Sequence, residues 1–155
     1  MFQILPLNYN KFSNYFMMNE DELKLNKAII TKVSAPLAFP CRVSLDFGEV
    51  GEDILLVNYN HHDVNSPYNS NYAIFVRKDA QEIQLEPNEL APVFTRNSPI
   101  ALRGFDKNGF LQMAEIEMGP KIANNIEKFF ENPQIEYIHA HFTAYGCYAA
   151  KIVRA

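Results

Sequence analysis

The side chains best suited to chemistry are scarce in this chain, with four histidines and two cysteines in all, and they fall in three short segments. Cys41 sits in Phe39-Pro40-Cys41-Arg42, His61 and His62 are adjacent, and His139, His141 and Cys147 lie near the C-terminus. Residues two apart on a strand share a face. His139 and His141 therefore project together with Cβ atoms about 7 Å apart, near enough for both imidazoles to converge on one metal ion or one substrate. Tyr137 joins them, while Ile138, Ala140 and Phe142 form an apolar face that should meet the core.

The side taken by Cys147 depends on the turn before it. If Phe142 pairs with Cys147, His141 sits opposite Tyr148; if Thr143 pairs with Cys147, the thiol joins the histidines. Both registers are open at this level. A zinc site needs three or four ligands. The richest set, Cys41, His139, His141 and Cys147, contains no Cys-x-x-Cys and no His-x-x-x-His spacing. The expectation is therefore no bound metal and no other cofactor, with the histidines hydrogen-bonded in a strand and the thiols packed as small hydrophobes.

Two further segments carry candidates. Residues 58–71, rich in Asn, Tyr and Ser, read as a long irregular connection between two strands, a length typical of lids and binding loops. Within it His61 and Asp63 can form an oriented general base, or Asp63 and Ser66 can simply bond their own backbone. In Pro40-Cys41-Arg42 the cation beside the thiol favours thiolate, which makes Cys41 a candidate nucleophile. No Gly-rich phosphate loop, Gly-x-Ser-x-Gly elbow or His-Glu-x-x-His motif occurs.

The elements that must position these residues follow from periodicity. Phe2 to Leu5 reads as a strand, and Phe12, Tyr15 and Phe16 fall on one face of a helix. Asn19 offers an N-cap to a short helix whose first turn holds Glu20, Asp21 and Glu22. Ala28 to Val33, Asp53 to Tyr59 and Tyr72 to Arg77 are rich in strand formers. A hairpin turns at Lys107-Asn108-Gly109, best as a three-residue loop with Gly109 left-handed. That register puts Ile100, Leu102 and Gly104 on one face with Phe110, Ala114 and Ile116, and leaves Arg103, Glu115 and Glu117 to offset one another on the other. A helix follows, with Pro120 in its first position, the stripe Ile122, Ile126, Phe129 and Phe130, and a stop at Asn132-Pro133. Ile135 to Phe142 and Cys147 to Val153 close the chain as a hairpin. The order predicts an α+β fold in a single domain over residues 1–155, mainly antiparallel β-sheet with a few short helices and one longer helix near residues 120–131.

Composition narrows the function classes. The 155 residues carry a formal charge of -4 and a pI near 5.5, so no basic field awaits nucleic acid. The longest aliphatic run, Ile54 to Val57, is far short of a membrane span, and the N-terminus lacks signal-peptide character. The expectation is a soluble, cytoplasmic protein with free thiols.

Several blocks together resemble the bacterial family called domain of unknown function 1203: Phe39-Pro40-Cys41-Arg42-Val43-Ser44-Leu45, Gly51-Glu52 leading to Leu55-Leu56 and Tyr59, Ser66-Pro67-Tyr68 before Ala73 to Arg77, and His139-Ala140-His141 with Gly146 to Ala150. The resemblance implies one domain and no mechanism. The segments that carry the resemblance include Cys41, Arg42, His61, Pro67, Tyr68, His139, His141 and Cys147, whereas His62 looks incidental, and Asn69 stands where the pattern leads one to expect a basic residue. The functional expectation is a polar pocket for a small, anionic metabolite. Cys41, His139, His141 and Cys147 are its candidate catalytic residues, and Arg42, His61, Tyr68 and Tyr148 its candidate ligand-binding residues. Whether it catalyses stays open. The alternatives are an interaction or homo-oligomer surface built from Phe12, Tyr15, Phe16, Tyr59, Tyr68 and Tyr72, and a Cys/His metal site.

Overall fold

The computed structural model describes residues 1–96 and 98–155. Its strands are β1 (Phe2–Leu5), β2 (Ala28–Lys32), β3 (Asp53–His62), β4 (Ser70–Arg77), β5 (Ile100–Phe105), β6 (Leu111–Glu117), β7 (Tyr137–Phe142) and β8 (Tyr148–Arg154). The α-helices are α1 (Glu20–Leu25), α2 (Pro92–Thr95) and α3 (Lys121–Glu131). A five-stranded sheet has the order β1-β8-β7-β5-β6, a three-stranded sheet has the order β2-β3-β4, and every pairing in both is antiparallel. The α+β expectation holds. None of the described helices is long and apolar enough to cross a membrane.

Local chemistry explains the helix ends. Asn19 accepts a hydrogen bond from the Glu22 amide while the Glu22 carboxylate accepts one from the Asn19 amide, a reciprocal cap on α1. Helix α3 begins one residue after Pro120 and ends at Asn132. Its stripe of Ile122, Ile126, Phe129 and Phe130 packs on Ile100, Leu102, Ile138, Ala140 and Ile152 of the large sheet. Burial of each large side chain contributes roughly 1.5–3 kcal/mol. A second core forms around the small sheet, where Leu55, Val57, Ile74 and Val76 meet Phe12, Leu23, Cys41 and Val43. The segment of Phe12, Tyr15 and Phe16 is not one helix but two successive 3-10 turns, Tyr9–Lys11 and Ser13–Met17.

Because side chains alternate across a strand, committing one face of the large sheet to α3 sends Arg103, Tyr137, His139 and His141 to the other. The end of β3 covers that second face.

Three β-bulges decide what meets there. In β3 the register passes from Asn60↔Asn71 to His62↔Ser70, so His61 is the extra residue. A bulge re-aims side chains, and here both His61 and His62 reach the large sheet instead of pointing to opposite sides. Between β7 and β8, Ala140↔Ala150 gives way to His141↔Tyr148, which leaves Ala149 unpaired and brings Tyr148 beside His141. Phe142 donates its amide to the Cys147 carbonyl, at 3.0 Å, which selects the first of the two open registers.

The third bulge corrects the hairpin expectation. The three-residue loop is present, with Gly109 at φ 78° and the Asp106 amide bonded to the Phe110 carbonyl. However, Gly104 pairs with Met113 and Phe105 with Leu111, so Gln112 is inserted and the faces of β6 exchange. Arg103 lies opposite Ala114, and Glu115 and Glu117 lie opposite Leu102 and Ile100 on the α3 side. Glu115 is paired there with Lys128 of α3.

The expected long loop is also shorter. Strands β3 and β4 extend to His62 and from Ser70, leaving 63–69 as the connection. Pairing outweighs the loop preference of the asparagines, which bond across the ladder instead: Asn71 Nδ2 donates to Asn58 Oδ1 at 2.6 Å and Asn60 Nδ2 to Asn69 Oδ1 at 3.2 Å. The connection is clamped to the β5–β6 hairpin, where Ser66 Oγ donates to the Gly109 carbonyl and a Cβ at Gly109 would lie 2.8 Å from Val64. That clamp fixes the end of β3, and with it the two histidines.

Candidate functional site

His139 occupies the centre of β7, between Arg103 of β5 and Lys151 of β8, and is 3% exposed. His141 follows two residues later, between Ala101 and Tyr148, at 1% exposure. His61 descends from the bulge in β3. Its ring is stacked on Tyr148 with centroids 5.2 Å apart and planes 12° apart, and lies edge-on to His141 at 5.2 Å and at 6.0 Å from His139. One ring nitrogen from each of His61, His139 and His141 lies within 4.8 Å of the other two.

Hydrogen bonding leaves a ring nitrogen free on each of the three histidines. The His141 Nδ1–H donates to the Gly146 carbonyl at 3.0 Å, which places the lone pair on Nε2. Nδ1 of His61 and Nδ1 of His139 are buried with no partner among the described residues. An unsatisfied buried polar atom costs about 1–3 kcal/mol, so two of them in one cluster point to a group that would satisfy both.

The rings are neutral. Burial, reinforced by the neighbouring His62 and by the charge of Arg103, lowers His61 to about 4. Burial and the neighbouring histidines lower His139 to about 2. Burial lowers His141 to about 3, against the Gly146 hydrogen bond. Neutral imidazole is the form that ligates metal. A tetrahedral zinc with bonds of about 2.0–2.1 Å spaces its ligand nitrogens by roughly 3.3 Å, so binding would draw the three nitrogens closer together.

A measurable consequence follows for the metal-free protein. Unfolded histidines take up protons near pH 6.5, whereas His61, His141 and His139 resist until about 4, 3 and 2. Across that interval the unfolded chain binds more protons, so stability is greatest above pH 6.5 and falls as pH is lowered. Each of the two most buried histidines adds up to about 1.4 kcal/mol per pH unit to the slope. Urea unfolding after chelator treatment, from pH 7.5 to 4.5, should show the decline, and His139→Leu should flatten part of it. A curve as steep without His139 would contradict the assignment.

His62, which looked incidental, supports the cluster. Its Nδ1–H donates to the Tyr68 carbonyl at 2.8 Å, and its Nε2 accepts from the Tyr137 hydroxyl at 2.7 Å. Both nitrogens are thus engaged, and the ring stands edge-on to His139 at 4.9 Å. Nothing in the spacing of adjacent histidines marks this pair, because only the bulge turns both toward the sheet.

The remaining sequence candidates are placed differently. Cys41 is fully buried in the second core, where its Sγ accepts from the amides of Val43 and Arg77 at 3.4 and 3.3 Å. Cys147 is buried in the turn before β8, and neither thiol joins the three histidines. Arg42 is 1% exposed; its Nε donates to the Tyr148 carbonyl at 2.7 Å, its Nη1 to the Pro40 carbonyl, and its guanidinium lies 5.1 Å from the Phe142 ring centroid. It props Tyr148 from behind. Tyr148 is 2% exposed and packs against all three histidines, and burial raises its phenol well above the usual range. Tyr68 meets Phe105 and Phe110 and serves the site through its carbonyl on His62.

The family described as Protein of unknown function (DUF1203) matches residues 38–154, a span that includes every residue of this cluster. No curated protein and no solved structure matches the chain.

Proposed function

We propose that this chain, which belongs to the DUF1203 family, holds a divalent transition-metal ion through His61, His139 and His141 and presents it to a small ligand. The observation that carries the reading is the approach of three imidazole nitrogens to within 4.8 Å, with no protein hydrogen bond on two of the rings among the described residues. Three nitrogen ligands and an open position are the pattern of catalytic rather than structural zinc, and imidazole also suits copper, iron and nickel. The Gly146 carbonyl on His141 serves as the outer partner that such ligands use to fix tautomer and orientation. Three neutral ligands leave the ion its full charge. An ion so held activates bound water or an oxygen of its ligand as a Lewis acid.

The proposal keeps a small-molecule ligand and changes the members of the site. His61, His139 and His141 meet the metal, Tyr148 and His62 hold their rings, and the thiols stay outside. Two free cysteines fit a reducing compartment, and a cytoplasmic location is part of the proposal.

Protein purified without an affinity tag, stripped with chelator and titrated with zinc against a chromophoric competitor tests the reading. One saturable site per chain is expected. Uptake below about a tenth of an equivalent, or uptake unchanged when the histidines are replaced, would overturn it.

A further inference from the structure

The charges beside the cluster are one-sided. Arg103 and Lys151 are the cross-strand neighbours of His139, a relation that sets Cβ atoms about 4.5–5.5 Å apart. Arg103 is half-buried, yet its guanidinium has no hydrogen bond and no ion pair among the described residues. The Lys151 ammonium lies 4.3 Å from the Tyr137 ring centroid and likewise meets no carboxylate among them. The acidic side chains that do form ion pairs are occupied elsewhere: Glu52 with Arg77, Asp53 with Lys32 and Glu115 with Lys128. In a chain with a net charge of -4, the one face that carries the histidines is cationic, and the bulge at Gln112 makes it so by turning Glu115 and Glu117 to the other side.

We propose that the centre recognises a small oxyanion, a carboxylate or phosphate group, with one oxygen beside His61, His139 and His141 and another on Arg103. This rests on the metal reading above and names the ligand class of that site. A guanidinium offers a planar fork of donors that matches two oxygens of such a group. Partly withdrawn from water and given no protein acceptor, that fork is matched to something the chain does not supply. An ion bound by three neutral imidazoles adds two positive charges a few ångströms away, so an anionic oxygen is the ligand that balances the site. Arg42 cannot take this role, since its donors are turned to the carbonyls of Tyr148 and Pro40.

The test loads the protein with cobalt(II), whose visible spectrum reports its ligands, and titrates it with inorganic phosphate and, separately, with acetate. The expected result is a saturable spectral change with at least one of the two anions, and the tighter binder identifies the group recognised. Arg103→Gln should weaken that binding by about tenfold or more while leaving cobalt stoichiometry and the anion-free spectrum unchanged. Arg103→Met, which keeps the packing of the stem, should weaken it equally, and so separates loss of charge from loss of fold. Cobalt uptake with no change on adding either anion would overturn the oxyanion assignment alone, as would unchanged anion affinity in both variants. Absence of cobalt uptake would overturn the metal reading and this inference with it.

Discussion

His139→Leu should abolish stoichiometric zinc binding, with affinity down by more than about 100-fold, while the metal-free protein stays as stable as the parent or becomes more so. Replacing an outer partner of a metal ligand typically costs 10–100-fold, and His139 is one of only three proposed ligands, its ring centroid 6.0 Å from that of His61 and 6.3 Å from that of His141. The two halves of the expectation have separate causes. Metal affinity falls because a lone pair is lost. Stability does not fall, because the buried Nδ1 of His139 has no hydrogen bond to lose, and exchanging an unsatisfied polar atom for an apolar one of similar size is neutral or favourable. A histidine present only to hold the sheet together would behave in the opposite way, losing stability and leaving zinc uptake untouched. Zinc titration and urea unfolding on the same variant decide between them.

Arg42→Ala should lower the free energy of unfolding by roughly 3–5 kcal/mol, from the lost charged hydrogen bonds and the cavity left behind. The guanidinium bonds the carbonyls of Tyr148 and Pro40 and covers the Phe142 ring, so its removal strands two acceptors in the interior. Because Tyr148 stacks on His61, zinc affinity should fall as well, though less than in His139→Leu. Arg42→Lys should recover only part of the stability, since an ammonium lacks the fork that spans both carbonyls. A loss in Arg42→Ala below about 0.5 kcal/mol, within the range of ordinary surface substitutions, would show that Arg42 does not brace the site.

These two residues illustrate what could be read from the sequence and what could not. His139 and His141 were legible as a pair because strand alternation depends only on spacing, and the apolar residues between them fixed which face met the core. Arg42 was read as ligand-binding by its company, and its bracing role was not legible. That role needs the Tyr148 carbonyl, which is 106 positions away. His61 was legible as a member of the same pocket, but not by the geometry that puts it there, since it was placed in an irregular connection with Asp63. In the fold it belongs to a strand, and the bulge at that position aims it. The same physics hid Arg103. A single inserted residue at Gln112 exchanges the faces of β6 from Met113 onward, and no turn propensity around Gly109 announces an insertion three residues beyond it. The helix caps and the hairpin loop, set by local chemistry, could be read; the bulges, set by how two sheets meet, could not.

X-ray absorption at the zinc edge of the loaded, untagged protein tests the central claim most directly. Three imidazole nitrogens at about 2.0–2.1 Å, with a further light atom completing the shell, is the predicted result. A sulfur at about 2.3 Å, which would bring Cys41 or Cys147 into the shell, or fewer than two imidazoles around the ion, would contradict it.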